Sequence, residues 1–149
     1  MRAVVQRVLQ ASVQVDGETV ASIGRGLLVL AGIHESDTVR DMEYIIGKLV
    51  GVRIFNDAGG VMNLSVADTG GEILLVSQFT LYGDARRGKR PSYSSAMKPE
   101  AARDAFTAFI ELCRARHEKT RAGIFGADMK VSLVNDGPVT ILLDSGRAF

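Results

Sequence analysis

Cysteine is almost missing from this chain. Cys113 is the single one among 149 residues, so no internal disulfide can form, and a reducing compartment suits it. Only two histidines, His34 and His117, could join it at a metal. No ligand spacing links the three, so neither a metal nor another cofactor is expected. Long apolar stretches are absent too. The longest, Leu27-Leu28-Val29-Leu30-Ala31-Gly32-Ile33, falls far short of the roughly 20 residues that span a bilayer. Met1-Arg2-Ala3-Val4-Val5-Gln6-Arg7 enters a strand pattern directly, without the apolar segment of a signal peptide, so a cytoplasmic protein is expected. Nor does one sign of charge prevail: 18 Lys and Arg stand against 17 Asp and Glu, a net +1. Nucleic acid could therefore be held only by a local patch, not by bulk charge.

What is present is the composition of one soluble domain, residues 1–149, with 46% hydrophobic and 23% charged residues. Ala11, Val13 and Val15 alternate with Ser12, Gln14 and Asp16, a half-buried strand closed by Asp16-Gly17. Arg7 shares a face with Ala3, Val5 and Leu9. Either the strand reaches solvent there, or the guanidinium needs acceptors. Leu27–Ile33, after the break at Gly24-Arg25-Gly26, suits a strand covered on both faces, and Ile73–Val76 is a further central strand. Met42, Ile45, Ile46 and Leu49 recur at helical spacing after Asp37, the expected cap. A hairpin is expected around Asn56-Asp57-Ala58-Gly59-Gly60. Pro99 opens a second helix whose buried stripe is Ala102, Ala105, Phe106, Phe109 and Cys113, which makes that thiol a core group. Finally, Val131–Val134 and Ile141–Leu143 read as two strands of a hairpin around Asn135-Asp136-Gly137-Pro138-Val139-Thr140. Strands in blocks with two helices between them predict an α+β fold. Its sheets are mostly antiparallel or mixed, or form a partly open β-barrel, with both main helices packed on it in a layered ββα arrangement.

Four segments could carry chemistry. Ser77-Gln78-Phe79-Thr80 ends a hydrophobic strand with a polar rim, but Ser77 or Thr80 needs a base to act as a nucleophile. Neither histidine makes a triad, and each is expected at the surface. Arg86, Arg87, Lys89 and Arg90, with Tyr93 close behind, form either a solvated loop or a phosphate-binding patch. Phe125 and Met129 sit in a small-residue loop, where they fill core or offer a surface to a nucleobase. Gly137-Pro138 makes a rigid backbone knuckle with no bulky tip, either a plain turn or a wall against a ligand.

Together, Ser77-Gln78-Phe79-Thr80-Leu81-Tyr82-Gly83-Asp84, Arg90-Pro91-Ser92, Gly123-Ile124-Phe125-Gly126-Ala127-Asp128-Met129 and Asn135-Asp136-Gly137-Pro138-Val139-Thr140 resemble the D-aminoacyl-tRNA deacylase family. The match extends through Arg2–Val8 and Arg53-Ile54-Phe55-Asn56-Asp57, and both signature motifs, Ser-Gln-x-x-Leu and Asn-x-Gly-Pro-Val-Thr, are intact. The resemblance implies a homodimer that hydrolyses the ester between a D-amino acid and the 3′-terminal adenosine of tRNA, without cofactor, metal or membrane. Gly137-Pro138 would be cis and enter the partner subunit's pocket, excluding L-amino acids by backbone contact, while Arg7 holds the knuckle's orientation. Glycyl-tRNA, lacking a side chain to reject, becomes a second substrate. Thr80 and Gln78 are the catalytic residues implied. Ser77, Phe79, Phe125 and Met129 would bind substrate, the last two packing on adenine, and Arg86, Arg87, Lys89 and Arg90 would meet acceptor-stem phosphates. Two chemical routes stay open: attack by Thr80, or water activated with help from the ribose 2′-hydroxyl. A non-catalytic nucleic-acid-binding module and a small-molecule D-amino-acid esterase are the alternative functions.

Overall fold

The structure, a computed structural model, describes residues 1–148. The valine-rich opening forms one long strand, β1 (Arg2–Val15), which turns at Asp16-Gly17 into β2 (Glu18–Ile23). β3 (Gly26–Gly32) follows, then helix α1 (Val39–Gly51), the short hairpin β4 (Phe55–Asn56) and β5 (Met62–Leu64), and β6 (Glu72–Ser77). Helix α2 (Pro99–Arg116), β7 (Thr120–Ala122) and β8 (Lys130–Asp144) complete the chain. The main sheet is six-stranded, ordered β2-β1-β3-β6-β7, with β8 on β1. β3, β6 and β7 run parallel to one another, whereas β1 pairs antiparallel with β2, β3 and β8. The sheet is mixed and curls toward a barrel, with two helices laid on it, the α+β arrangement expected.

Side chains alternate between two cores. Leu27, Val29, Ile73 and Leu75 pack with Ile45, Leu49, Phe106 and Phe109 of the helices. Leu28, Leu74 and Val76 point the other way, joining Val8, Val13 and Ile23 inside the curl. β3 and β6 are thus buried on both faces, which accounts for their unbroken apolar sequences. Cys113 lies fully buried beside the Thr120 hydroxyl, and burial pushes its thiol pKa up.

Two expectations need correction. The cap of α1 is Thr38, not Asp37. The Asp41 carboxylate accepts hydrogen bonds from the Thr38 N–H at 2.8 Å and hydroxyl at 2.9 Å, closing a capping box. Asp37 instead receives the N-terminal ammonium at 2.5 Å and the His34 N–H at 2.6 Å. Nor is the last segment a hairpin. β8 is one strand running along β1 throughout: while β1 steps from Val8 to Gln6, β8 steps from Asn135 to Thr140. The surplus residues between are pushed out of the ladder as an enlarged bulge. Turn-forming residues look the same in sequence whether the chain reverses or only bulges; the continuous partner strand decides.

Candidate active site

The last residue pairing β3 with β6 is Ser77, opposite Ala31, and the Gln78 N–H donates to the Ala31 carbonyl at 2.8 Å. The chain then tightens into a 3-10 turn, Phe79–Tyr82. Arg2 braces that turn from behind. Its Nη1 donates to the Leu81 carbonyl at 3.1 Å, its guanidinium lies 4.8 Å over the Tyr82 ring, and its Nε meets Asp144 at 3.0 Å. Nothing in the sequence marked Arg2 for this work beyond a cation heading a strand.

Beside the turn opens a cavity of about 700 Å³, walled by Tyr93, Ser94 and the Ala96–Pro99 run into α2 and by residues 125–129. Its floor is apolar, from Ile33, Val76, Ala102 and Phe106. Ser77, Gln78, Phe79, Phe125 and Met129, far apart in sequence, all line it. Phe125 is held between the Phe106 ring at 6.1 Å and the Arg103 guanidinium at 5.3 Å. Sequence reasoning missed the Ala96-Met97-Lys98-Pro99 wall, whose only signal was a proline suited to starting a helix.

Thr80 is exposed and, unlike Ser77, Gln78 and Phe79, does not line the cavity; its hydroxyl lies 2.5 Å from the Gln78 side-chain amide. Whichever way that amide is turned, it is not a base. Both histidines are occupied elsewhere and half-buried rather than at the surface. His34 Nδ1 lies 2.8 Å from the Ser36 hydroxyl, and His117 Nε2 lies 2.8 Å from the Gly71 carbonyl. Among the described residues, no His, Cys, Asp or Glu group could hold a metal ion.

The Gly137-Pro138 bond is cis, and both residues are exposed. Arg7 is only 6% exposed, buried with acceptors rather than ending at solvent. Its Nη1 donates to the Ile54 carbonyl at 2.5 Å, and its Nε donates to the Asp136 carbonyl at 3.1 Å, with the Asp136 carboxylate 3.2 Å away. From the other side, the Val139 N–H donates to the Asn135 side-chain oxygen at 2.9 Å. Gly137 has φ +126°, and a Cβ there would lie 2.8 Å from Val139 Cγ2 and 3.0 Å from an Arg7 nitrogen. Only glycine suits that position. Within one chain, no residue from 135 to 140 lines the cavity.

The basic segment is an arm. Asp84 and Ser92 exchange backbone hydrogen bonds at 2.8 and 2.9 Å, and residues 85–91 project beyond that clasp, all exposed. Arg86 folds back onto Asp84 at 2.7 Å and holds its carboxyl well below the usual range. Among the described residues, Arg87, Lys89 and Arg90 form no ion pair.

Residues 4–144 match the family model described as D-Tyr-tRNA(Tyr) deacylase. The chain is 52% identical over 149 residues to the D-aminoacyl-tRNA deacylase of Thermosipho africanus (strain TCF52B), covering 100% of both. It is 56% identical over 145 residues to that of Myxococcus xanthus (strain DK1622), covering 97% of this chain and 95% of the relative. A solved structure named c-Myc DNA Unwinding Element Binding Protein superposes with TM-score 0.92 at 44% identity, covering 97% of this chain and 98% of the other. A probable eukaryotic D-amino acid tRNA deacylase is alike in fold alone, with TM-score 0.83 at 16% identity, covering 95% of this chain and 97% of the other. Matched along its length by D-aminoacyl-tRNA deacylases at 52% and 56% identity, the chain is of the class of hydrolases that deacylate aminoacyl-tRNA. The chain belongs to the D-Tyr-tRNA(Tyr) deacylase family, and its activity is that of a D-aminoacyl-tRNA deacylase.

Proposed function

We infer that the enzyme is a chiral proofreader working in the cytoplasm as a homodimer, in which the Gly137-Pro138 knuckle of one subunit closes the cavity of the other. One observation carries this reading. The knuckle is exposed backbone, pinned from two sides by Arg7 and Asn135, and it lies outside its own chain's cavity. A rigid backbone wall has nothing to attract an L side chain and no room for one. At the alpha carbon, D and L substrates exchange the directions of hydrogen and side chain, so a wall facing the L direction rejects L and passes D. Glycine carries no side chain in either direction and passes as well.

In the cavity, Phe125 and Met129 take the terminal adenine, while Ser77, Gln78 and Phe79 bound the aminoacyl group. The absence of a base at Thr80 favours water as the nucleophile, assisted by the ribose 2′-hydroxyl. Water adds to the ester carbonyl, the bond to the ribose 3′-oxygen breaks, and that oxygen takes up the proton water gives up. Gln78 and backbone N–H groups of the Phe79–Tyr82 turn supply position and donors for the developing oxyanion.

The deciding experiment compares deacylation of D-aminoacyl-, L-aminoacyl- and glycyl-tRNA by purified protein. D and glycyl esters are expected to be cleaved and L esters spared; equal cleavage of L and D would sink the wall. The name of the 44% identical structural neighbour favours a second reading, a nucleic-acid-binding module without catalysis. That reading requires RNA binding with no deacylation in the same assay.

A further inference from the structure

Two large aromatic side chains are left in solvent at the mouth of the cavity. Phe79 is 57% exposed and Tyr93 40%, and their rings meet edge to face, centroids 5.1 Å apart with planes at 71°. They come from opposite ends of the basic arm. The Asp84–Ser92 clasp draws those ends together and sets Tyr93 against Gly83, where a Cβ would come within 2.9 Å of the Tyr93 ring. A side chain at Gly83 would displace the tyrosine, so the corner depends on that close approach. Core packing does not account for it, because both residues keep a large exposed share within the chain. The arm that this clasp closes carries Arg87, Lys89 and Arg90, which have no carboxylate partner among the described residues.

Exposed aromatic faces beside unpaired cations are what single-stranded nucleic acid requires: bases stack on the rings, and phosphates meet the charges. We propose that the Phe79–Tyr93 corner is a stacking subsite for an unpaired base adjoining the terminal adenosine, with Arg87, Lys89 and Arg90 holding the phosphates on either side of it. The inference rests on the reading that the cavity takes that adenosine. Its consequence is that the enzyme distinguishes an ester carried on RNA from the same ester on a lone nucleoside.

The test uses the full protein and a fluorescently labelled single-stranded RNA carrying the tRNA 3′ end, followed by anisotropy. Base–aromatic stacks are commonly strong enough for Tyr93→Ala to weaken binding about tenfold. Tyr93→Phe keeps the ring and should bind like the parent. Tyr93→Leu, which retains bulk against Gly83 without an aromatic face, should weaken binding as the alanine does, even if the alanine variant folds poorly. In parallel, the ratio of kcat/KM for D-aminoacyl-tRNA to that for D-aminoacyl-adenosine should fall about tenfold in Tyr93→Leu, through KM. Unaltered RNA affinity in Tyr93→Leu, or an unaltered ratio, overturns the subsite. Failure of the parent protein to cleave either ester overturns the deacylase reading instead, and the anisotropy arm then still reads the subsite by itself.

Discussion

Arg7 Nε lies 3.1 Å from the carbonyl oxygen of Asp136, so a buried cation in the first strand grips the backbone immediately before Gly137. The same guanidinium reaches the Ile54 carbonyl at the start of the β4–β5 hairpin. One side chain therefore ties three separate stretches of chain together, all without exposing its charge to water. Arginine suits this place because its donors diverge in a rigid fork, which lysine cannot reproduce.

Replacing Arg7 with alanine should leave the buried Ile54 carbonyl and the part-buried Asp136 carbonyl without this donor and lower stability by about 1–3 kcal/mol. Arg7→Lys should recover part of that stability but less of the knuckle's alignment. Both variants are expected to cleave L-aminoacyl-tRNA more readily than the parent does. Chemical denaturation and paired D and L assays measure the two effects, and a variant unchanged in both would show that the grip is idle.

Thr80→Ala removes the hydroxyl that the Gln78 amide meets at 2.5 Å. If water attacks with help from the ribose, kcat should drop no more than about tenfold, the scale expected for removing one positioning group. The same enzyme should lose activity almost completely on tRNA ending in 2′-deoxyadenosine. The opposite pair of results, a dead Thr80→Ala and an active deoxy substrate, would establish threonine as the nucleophile.

Changing Arg87, Lys89 and Arg90 together to glutamine should weaken tRNA binding evenly across tRNA sequences. For every phosphate that the protein no longer neutralises, the log–log salt dependence should flatten by about 0.7–0.9. Titrations at several salt concentrations read this directly. A slope equal to the parent's would mean that the arm never meets the RNA. The deacylation assay run on free D-amino-acid esters tests for a small-molecule esterase, which would turn them over as fast as tRNA esters.

Asp41 closes the capping box of α1, and the Thr38 backbone N–H is the main reason its carboxyl pKa is drawn down to about 2. A carboxyl with a lowered folded-state pKa stabilises the fold above its unfolded pKa, roughly 3.9, and loses that contribution as pH falls. The stability gap between the parent and Asp41→Asn should thus be full at neutral pH, shrink from about pH 4 and vanish only below about pH 2. Being close to the surface, it should amount to under about 1 kcal/mol. Thermal melts across that range check the sign; a gap that widened in acid would contradict it.

Much of the fold was legible residue by residue. The alternation in β1, the doubly buried Leu27–Ile33 and Ile73–Val76 strands, and the stripe from Ala102 to Cys113 all follow from side-chain periodicity, which reports local environment. What misled was punctuation. Asp37 looks like a cap as readily as Thr38 does, and capping depends on which carboxylate finds the free N–H groups. Asn135–Thr140 holds the residues of a reversing turn, but β8 keeps its direction because β1 offers it a ladder on both sides of the bulge.

By itself, then, the chain's order of residues determined strands, helices and the family motifs, because these depend on neighbours within a few positions. It also held every residue of the polar rim. Only the tertiary structure decided that Ser77, Phe125 and Met129 share one cavity, and that Arg7 is buried with acceptors rather than ending at solvent. It likewise separated the Gly137-Pro138 knuckle from the cavity of its own chain. The physical reason is common to all of these. Each depends on segments remote in sequence meeting in space, and the energy of a buried cation or an extruded bulge is set by what the fold brings against it.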